Sequence, residues 1–275
     1  MKRNYIFVMV VIAAFLLVSC VQQKQLVNDN NNLIRNADMI KNGNNGNAVE
    51  IEISEVNYGP ATGYLAQPKE PGNYPGIVMI HEWIGLNDYV KEMARQLAAE
   101  GYVVLAVDLF EGKVAKNTTE ARELSTKARN NIPVAVSNMK SAVEFLKNQD
   151  NVDDNKIASM GWCFGGGMSL QLALNEKLAA TVIYYGSLET NTSKLSFIEW
   201  PVLGIFGEID TSIPVESVKQ FDVALDELGI ENEIYIYPNV GHAFANPSGM
   251  NYAAEETKDA WKKTVDFLDR NLKGR

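Results

Sequence analysis

Histidine and cysteine are scarce: 275 residues hold two of each, His81 and His242, Cys20 and Cys163. Two histidines do not make a convincing zinc-binding set, and no metal or organic cofactor is implied. Two widely separated cysteines make no disulfide framework. No cluster of basic residues stands out, and the formal net charge is −9. That balance argues against nucleic-acid recognition and against charge-driven adsorption to anionic lipid. No internal repeat is visible. What is present is a hydrophobic fraction of 46%, enough for a sizeable core in a chain of this length.

Lys2 and Arg3 precede an apolar run from Tyr5 to Val18, followed by Leu17-Val-Ser-Cys20. A charged start, a short apolar core and a small-residue site describe a secretory signal peptide over residues 1–20. The run is short for a full membrane span. Its last four residues resemble the lipobox of bacterial lipoproteins. That resemblance implies a lipid anchor on Cys20 and an exported chain tethered to the cell membrane or outer membrane. Residues 21–48, rich in Asn and Gln, read as a disordered tether.

From residue 49 onward strands and helices alternate. Val49–Val56 alternates apolar and polar residues, and Thr62–Gln67 is expected to pair with it as an antiparallel hairpin across Asn57–Ala61. Gly76–Ile80 is a continuous apolar run, expected of a central parallel strand covered on both faces. Further strands are predicted at Tyr102–Val107, Lys156–Met160, Ala180–Tyr185, Pro201–Phe206 and Glu233–Tyr237, with amphipathic helices between them and a last helix over Tyr252–Leu272. The expectation is one α/β domain over 49–275: a doubly wound, mostly parallel sheet of the α/β-hydrolase type, with an N-terminal antiparallel hairpin and helices on both faces. A monomer is expected.

Gly161-Trp-Cys-Phe-Gly165 follows one of these strands and opens a helix. G-x-C-x-G there has the spacing of a nucleophile elbow with Cys163 in place of serine. The turn is strained, so its flanks must lack side chains. The Phe164 N–H, at the helix start, points at any oxyanion formed on the sulfur's substrate. Downstream, Asp210 and His242 each follow a predicted strand, giving the order nucleophile, acid, histidine. In this arrangement His242 takes the thiol proton and returns it to the leaving group, while Asp210 fixes the imidazole. Asp108, which ends an earlier strand, is the competing acid. His81 has the wrong chain order for the base and suits a loop-orienting role. Glu82 beside it reads equally as a surface acid or as a carboxylate acting on the thiol. The Trp83 N–H is the candidate second oxyanion donor, and Trp83, Phe164, Tyr184 or Tyr185, and Phe244 are the candidate pocket lining.

Three blocks, Ile80-His-Glu-Trp-Ile-Gly-Leu86, Gly161-Trp-Cys-Phe-Gly-Gly-Gly167 and Tyr237-Pro-Asn-Val-Gly-His-Ala-Phe-Ala-Asn246, resemble the motifs of the dienelactone hydrolase family. The resemblance implies a Cys163-His242-Asp210 triad and a Glu82 that governs the resting thiol and releases it when substrate binds. It also implies hydrolysis of small esters or lactones through a thioester. Members that cleave dienelactone grip its carboxylate with arginines, one of them four residues past the histidine. Asn246 stands at that position here, and Arg122 is the candidate for the other. The alternatives are hydrolysis of a larger cell-envelope ester or peptide, and a surface lipoprotein that only binds. Mass spectrometry of detergent-extracted protein checks the anchor: Cys20 should be the lipid-bearing N-terminus, and an unmodified, fully soluble chain contradicts it.

Overall fold

The structure, a computed structural model, describes residues 49–274. The expected signal peptide, the Cys20 anchor and the 21–48 tether lie outside the described residues. Eight strands form one sheet: β1 (Ile51–Asn57), β2 (Thr62–Pro68), β3 (Tyr74–Ile80), β4 (Val103–Val107), β5 (Val152–Trp162), β6 (Ala180–Tyr184), β7 (Val202–Gly207) and β8 (Asn232–Tyr237). Their spatial order is β1-β2-β4-β3-β5-β6-β7-β8. β1 pairs antiparallel with β2, and β2 antiparallel with β4. From β4 to β8 every pairing is parallel. The expected fold is the observed one.

The helices are α1 (Asp88–Ala99), α2 (Thr118–Arg129), α3 (Ile132–Lys147), α4 (Phe164–Ala173), α5 (Thr192–Leu195), α6 (Val215–Glu227) and α7 (Ala254–Leu268), with a π-helical turn over Asp269–Lys273. Val78 and Ile80 of β3 join one apolar cluster with Met139 and Val143 of α3 and Val218 and Phe221 of α6. On β6, Tyr184 points the other way, and its hydroxyl meets Thr264 and the Ala260 carbonyl of α7. The continuous apolar runs of β3 and β4 follow from this double cover: Ile77 to Ile80 and Val103 to Val107 are fully buried.

After β3 the chain adds β4 on one side and then β5 on the other. The crevice where an open parallel sheet changes direction therefore lies between the carboxyl ends of β3 and β5. Register places Ile80 beside Gly161, so Glu82 and Cys163 are each two residues beyond the same paired rung.

Three local differences from the sequence expectations have physical causes. β5 starts at Val152 and not Lys156, because a bulge between Pro75 and Gly76 absorbs the polar Asp154-Asn155-Lys156 stretch that reads as loop. The one-turn α5 is too short to carry a helical period and was not expected. The final helix loses its α-helical spacing at Asp269, where Lys273 pairs back to Asp269 within the π turn.

Candidate active site

Cys163 sits between β5 and α4 with φ 54° and ψ −114°, a positive φ that only a tightly held non-glycine residue adopts. Two glycines make that turn possible. A Cβ on Gly165 would lie 2.3 Å from the Ile80 carbonyl oxygen, and one on Gly161 would lie 2.4 Å from that of Gly165. The first turn of α4 thus rests directly on the backbone of β3. The Cys163 N–H donates to the Tyr184 carbonyl at 3.0 Å, which ties the elbow to β6 as well. Phe164 is the first residue of α4, so its N–H has no carbonyl within the helix to bond. The His81–Trp83 loop leaves β3 alongside.

The sulfur faces His242. Cys163 Sγ and His242 Nε2 are 3.1 Å apart, and His242 Nδ1 is 2.7 Å from Asp210 Oδ2. The Asp210 side chain is fully buried, and its Oδ1 accepts the Ser212 and Ile213 N–H groups at 2.7 and 3.0 Å. Asn251 Nδ2 donates to the His242 carbonyl at 2.9 Å and fixes the loop that carries the ring. Burial works against the imidazolium, but the hydrogen bonds and charges of Asp210 and Cys163 outweigh it and hold His242 up at about 10. Burial likewise opposes the Asp210 charge, yet His242 and the two amides keep its carboxyl below the usual range. Asp108 is excluded as the acid: its carboxylate caps the Phe110 and Gly112 amides at the end of β4.

His81 is wholly buried and fixed as one neutral tautomer. Its Nδ1–H donates to the Glu82 carbonyl at 2.6 Å, and its Nε2 accepts the Leu109 N–H at 3.1 Å. Burial lowers its pKa, which suits that neutral form. It orients the loop, as its chain order implied.

Glu82 is 3% exposed, which settles it as an interior carboxyl and not a surface acid. Its Oε2 accepts from Asn246 Nδ2, while its Oε1 has no hydrogen-bond partner among the described residues. Among those residues no hydrogen bond joins it to Cys163, whose sulfur is turned to His242. Burial raises the Glu82 pKa to about 7, against the lowering effects of Asn246 and His242. Asn246 is held in turn, its Oδ1 accepting the Ser248 N–H and hydroxyl at 2.9 and 2.7 Å. Asn and Ser two residues apart in a loop look like an ordinary turn, so the sequence carries no sign of this pair.

The expected lining is divided. Trp83 is half-buried at the crevice, whereas Tyr185 and Phe244 are fully buried. The Tyr185 ring meets His242 edge-on at 5.3 Å and packs on the Phe244 ring at 5.7 Å, so Tyr185 backs the imidazole, Phe244 lies behind Tyr185, and neither presents an open wall. Between Tyr184 and Tyr185, it is Tyr185 that belongs to the site. Its φ is 35°, and its hydroxyl is buried without a partner among the described residues. Arg122 stands exposed on α2, and among the described residues no hydrogen bond or ion pair joins it to this cluster. The α2 cation that approaches the elbow is Arg129, whose guanidinium is 5.3 Å from the Phe164 ring centroid.

The family model for the dienelactone hydrolase family matches residues 61–272. A Methylorubrum extorquens protein named as a candidate carboxymethylenebutenolidase is 30% identical, over 80% of each chain. Protein usf of Aquifex pyrophilus is 31% identical over 82% of this chain and 99% of its own. Among solved structures, a candidate dienelactone hydrolase from Klebsiella pneumoniae superposes with a TM-score of 0.70 at 25% identity, covering 80% of this chain and 99% of that one. A dienelactone hydrolase-like promiscuous phosphotriesterase from metagenomic libraries shares the fold, with a TM-score of 0.74 at 24% identity. From its fold, its three motif blocks and the extent of these matches, the chain belongs to the dienelactone hydrolase family.

Proposed function

We propose that the protein hydrolyses small esters or lactones through a Cys163-His242-Asp210 triad and a thioester intermediate. The observation that carries this is the unbroken line of hydrogen-bonding atoms from Cys163 Sγ through both nitrogens of His242 to Asp210. In the first half-reaction Sγ attacks the carbonyl carbon, and the thiol proton resides on His242 Nε2. The carbonyl oxygen becomes an oxyanion facing the Phe164 and Trp83 N–H groups. Collapse breaks the carbon–oxygen ester bond, and the alcohol leaves with the proton from Nε2. In the second half-reaction His242 takes a proton from water, the hydroxide adds to the thioester, and the acid departs as the thiol is restored.

Asp210 serves this cycle by position and charge. Fixed by the Ser212 and Ile213 amides, it sets the tautomer that leaves Nε2 toward the sulfur and stabilises the imidazolium. Tyr185, edge-on to the imidazole and itself packed on Phe244, keeps the ring from turning away. Export and anchoring through Cys20 are proposed on the sequence of residues 1–20 alone.

Cys163→Ala should lower kcat on p-nitrophenyl acetate by about 10³-fold or more, as removing one member of a triad does. A variant as active as the unmodified protein contradicts the mechanism. Glu82 gives a separate, pH-dependent expectation. Its carboxyl is raised in the fold, so the proton-bound form is favoured there: the stability is present below about pH 4.5 and lost as pH rises through about 7. The isosteric Glu82→Gln removes that loss. Relative to the unmodified protein, its unfolding free energy should rise by about 3 kcal/mol between pH 4.5 and pH 8. Parallel urea-unfolding curves across that range contradict a buried, proton-binding Glu82.

A further inference from the structure

Resting on that hydrolytic function, we propose that His81 is a positioning residue of the oxyanion site: its ring holds the Glu82–Trp83 peptide so that the Trp83 N–H faces the substrate oxygen. The Glu82 carbonyl and the Trp83 N–H are the two ends of one planar unit. No cis peptide occurs among the described residues, so that oxygen and that hydrogen point to opposite sides of the chain. Whatever fixes the carbonyl therefore fixes the direction of the N–H. His81 Nδ1 lies 2.6 Å from the carbonyl oxygen. A carbonyl only accepts, so Nδ1 carries the hydrogen, and Nε2 is left to accept the Leu109 N–H at 3.1 Å. The Gly85 N–H also reaches the Glu82 carbonyl, at 3.2 Å, but that bond lies within the turn and moves with it. The imidazole ties the turn to the end of β4.

The same ring touches the other side of the oxyanion site. It stacks on the Phe164 ring, with centroids 5.8 Å apart and planes 20° from parallel, and the Phe110 ring meets it edge-on at 4.5 Å. Phe164 supplies the second N–H donor. The backbones approach as closely as the rings, since a Cβ on Gly165 would lie 2.5 Å from the His81 carbonyl oxygen. The loop after β3 and the first turn of α4 are thus held at one fixed spacing.

Among the described residues no acceptor is hydrogen-bonded to the Trp83 N–H, although its own peptide carbonyl is held twice. An amide fixed in this way is set for an acceptor that arrives with the substrate. The Leu109 N–H, the imidazole and the Glu82–Trp83 peptide also run in one direction, each donor feeding the next acceptor. Hydrogen bonds aligned in this manner polarise one another, which strengthens the last N–H of the series. That donor depends on a ring one peptide removed from the reacting atoms. Proton transfer stays with His242, because both His81 nitrogens are engaged away from the sulfur.

Two reactions of Cys163 separate positioning from general damage to the site. Ester cleavage builds negative charge on the carbonyl oxygen and needs the oxyanion donors. Alkylation by iodoacetamide does not: the sulfur–carbon bond forms at a saturated carbon, the carbon–iodine bond breaks, and the charge leaves as iodide. His81→Phe keeps a flat ring between Phe110 and Phe164 but has no N–H to donate. Its kcat/KM for p-nitrophenyl acetate should fall by about tenfold or more, toward the ~10²–10³-fold loss of a whole oxyanion donor. Its second-order rate of alkylation at the same pH should stay within about threefold, since the thiol and its imidazole are untouched. His81→Asn puts a carboxamide N–H in the place of Nδ1–H and should bring kcat/KM back to within about fivefold of the unmodified protein. An ester loss smaller than about tenfold in His81→Phe overturns the proposal. A parallel fall of both reactions overturns it too, as does a His81→Asn variant as slow as His81→Phe. If His81→Phe does not fold, His81→Leu takes its place with the same expectations. An unmodified protein that alkylates yet turns over no ester overturns the hydrolytic function instead, before any variant is compared.

Discussion

The site depends on one close approach: the first turn of α4 lies against the backbone carbonyls of β3 with no side chain between them. Gly161 and Gly165 permit it, since a Cβ at either position would overlap a backbone oxygen. From that contact the rest follows. Helix α4 begins immediately above the strand ends, Cys163 is forced to a positive φ, and its sulfur stands clear of the sheet. A strain on the order of 1–3 kcal/mol at that residue is sustained by the packing on both sides of the turn. The same approach brings the loop after β3, with Glu82 and Trp83, alongside the elbow.

Charge is distributed around the sulfur unevenly. On one side Asp210 and the imidazole form a pair whose cation persists to about 10. On the other, Glu82 is buried beside a neutral amide and binds its proton up to about 7. The imidazole side has the partners that an ionic cycle needs: two backbone amides on Asp210, and a carbonyl contact from Asn251 that steadies the His242 loop. The Glu82 side does not, and its Oε1, without a partner among the described residues, marks it as the less settled half of the site. Tyr185 spans the two. It backs His242 with its ring while its hydroxyl remains buried without a partner among the described residues.

Much of this was legible from residue order. The alternation of apolar runs and amphipathic stretches predicts a doubly wound sheet, because each strand period and helix period is strong enough to be seen locally. G-x-C-x-G predicts the elbow because the steric demand falls on adjacent residues. Asp210 could be preferred over Asp108 from chain order alone, and the geometry agrees: Asp108 is occupied in capping the turn after β4. Contacts between distant segments were not legible. Glu82 and Asn246 are 164 positions apart, and nothing in either neighbourhood reports the other. Arg122 and Arg129 share one exposed helix, and only packing against Phe164 distinguishes them. Tyr184 and Tyr185 are adjacent, but β6 ends between them: Tyr184 sends its hydroxyl to α7, while Tyr185, at φ 35°, turns its ring to His242.

The central claim is that Cys163 itself carries the acyl group. Acid quenching during turnover of p-nitrophenyl butyrate, followed by peptide mass mapping, tests it most directly. The account predicts a mass increase of one butyryl group on the peptide that contains Cys163, labile to hydroxylamine as a thioester is. Turnover with that peptide unmodified, or with the acyl group on a different side chain, contradicts it.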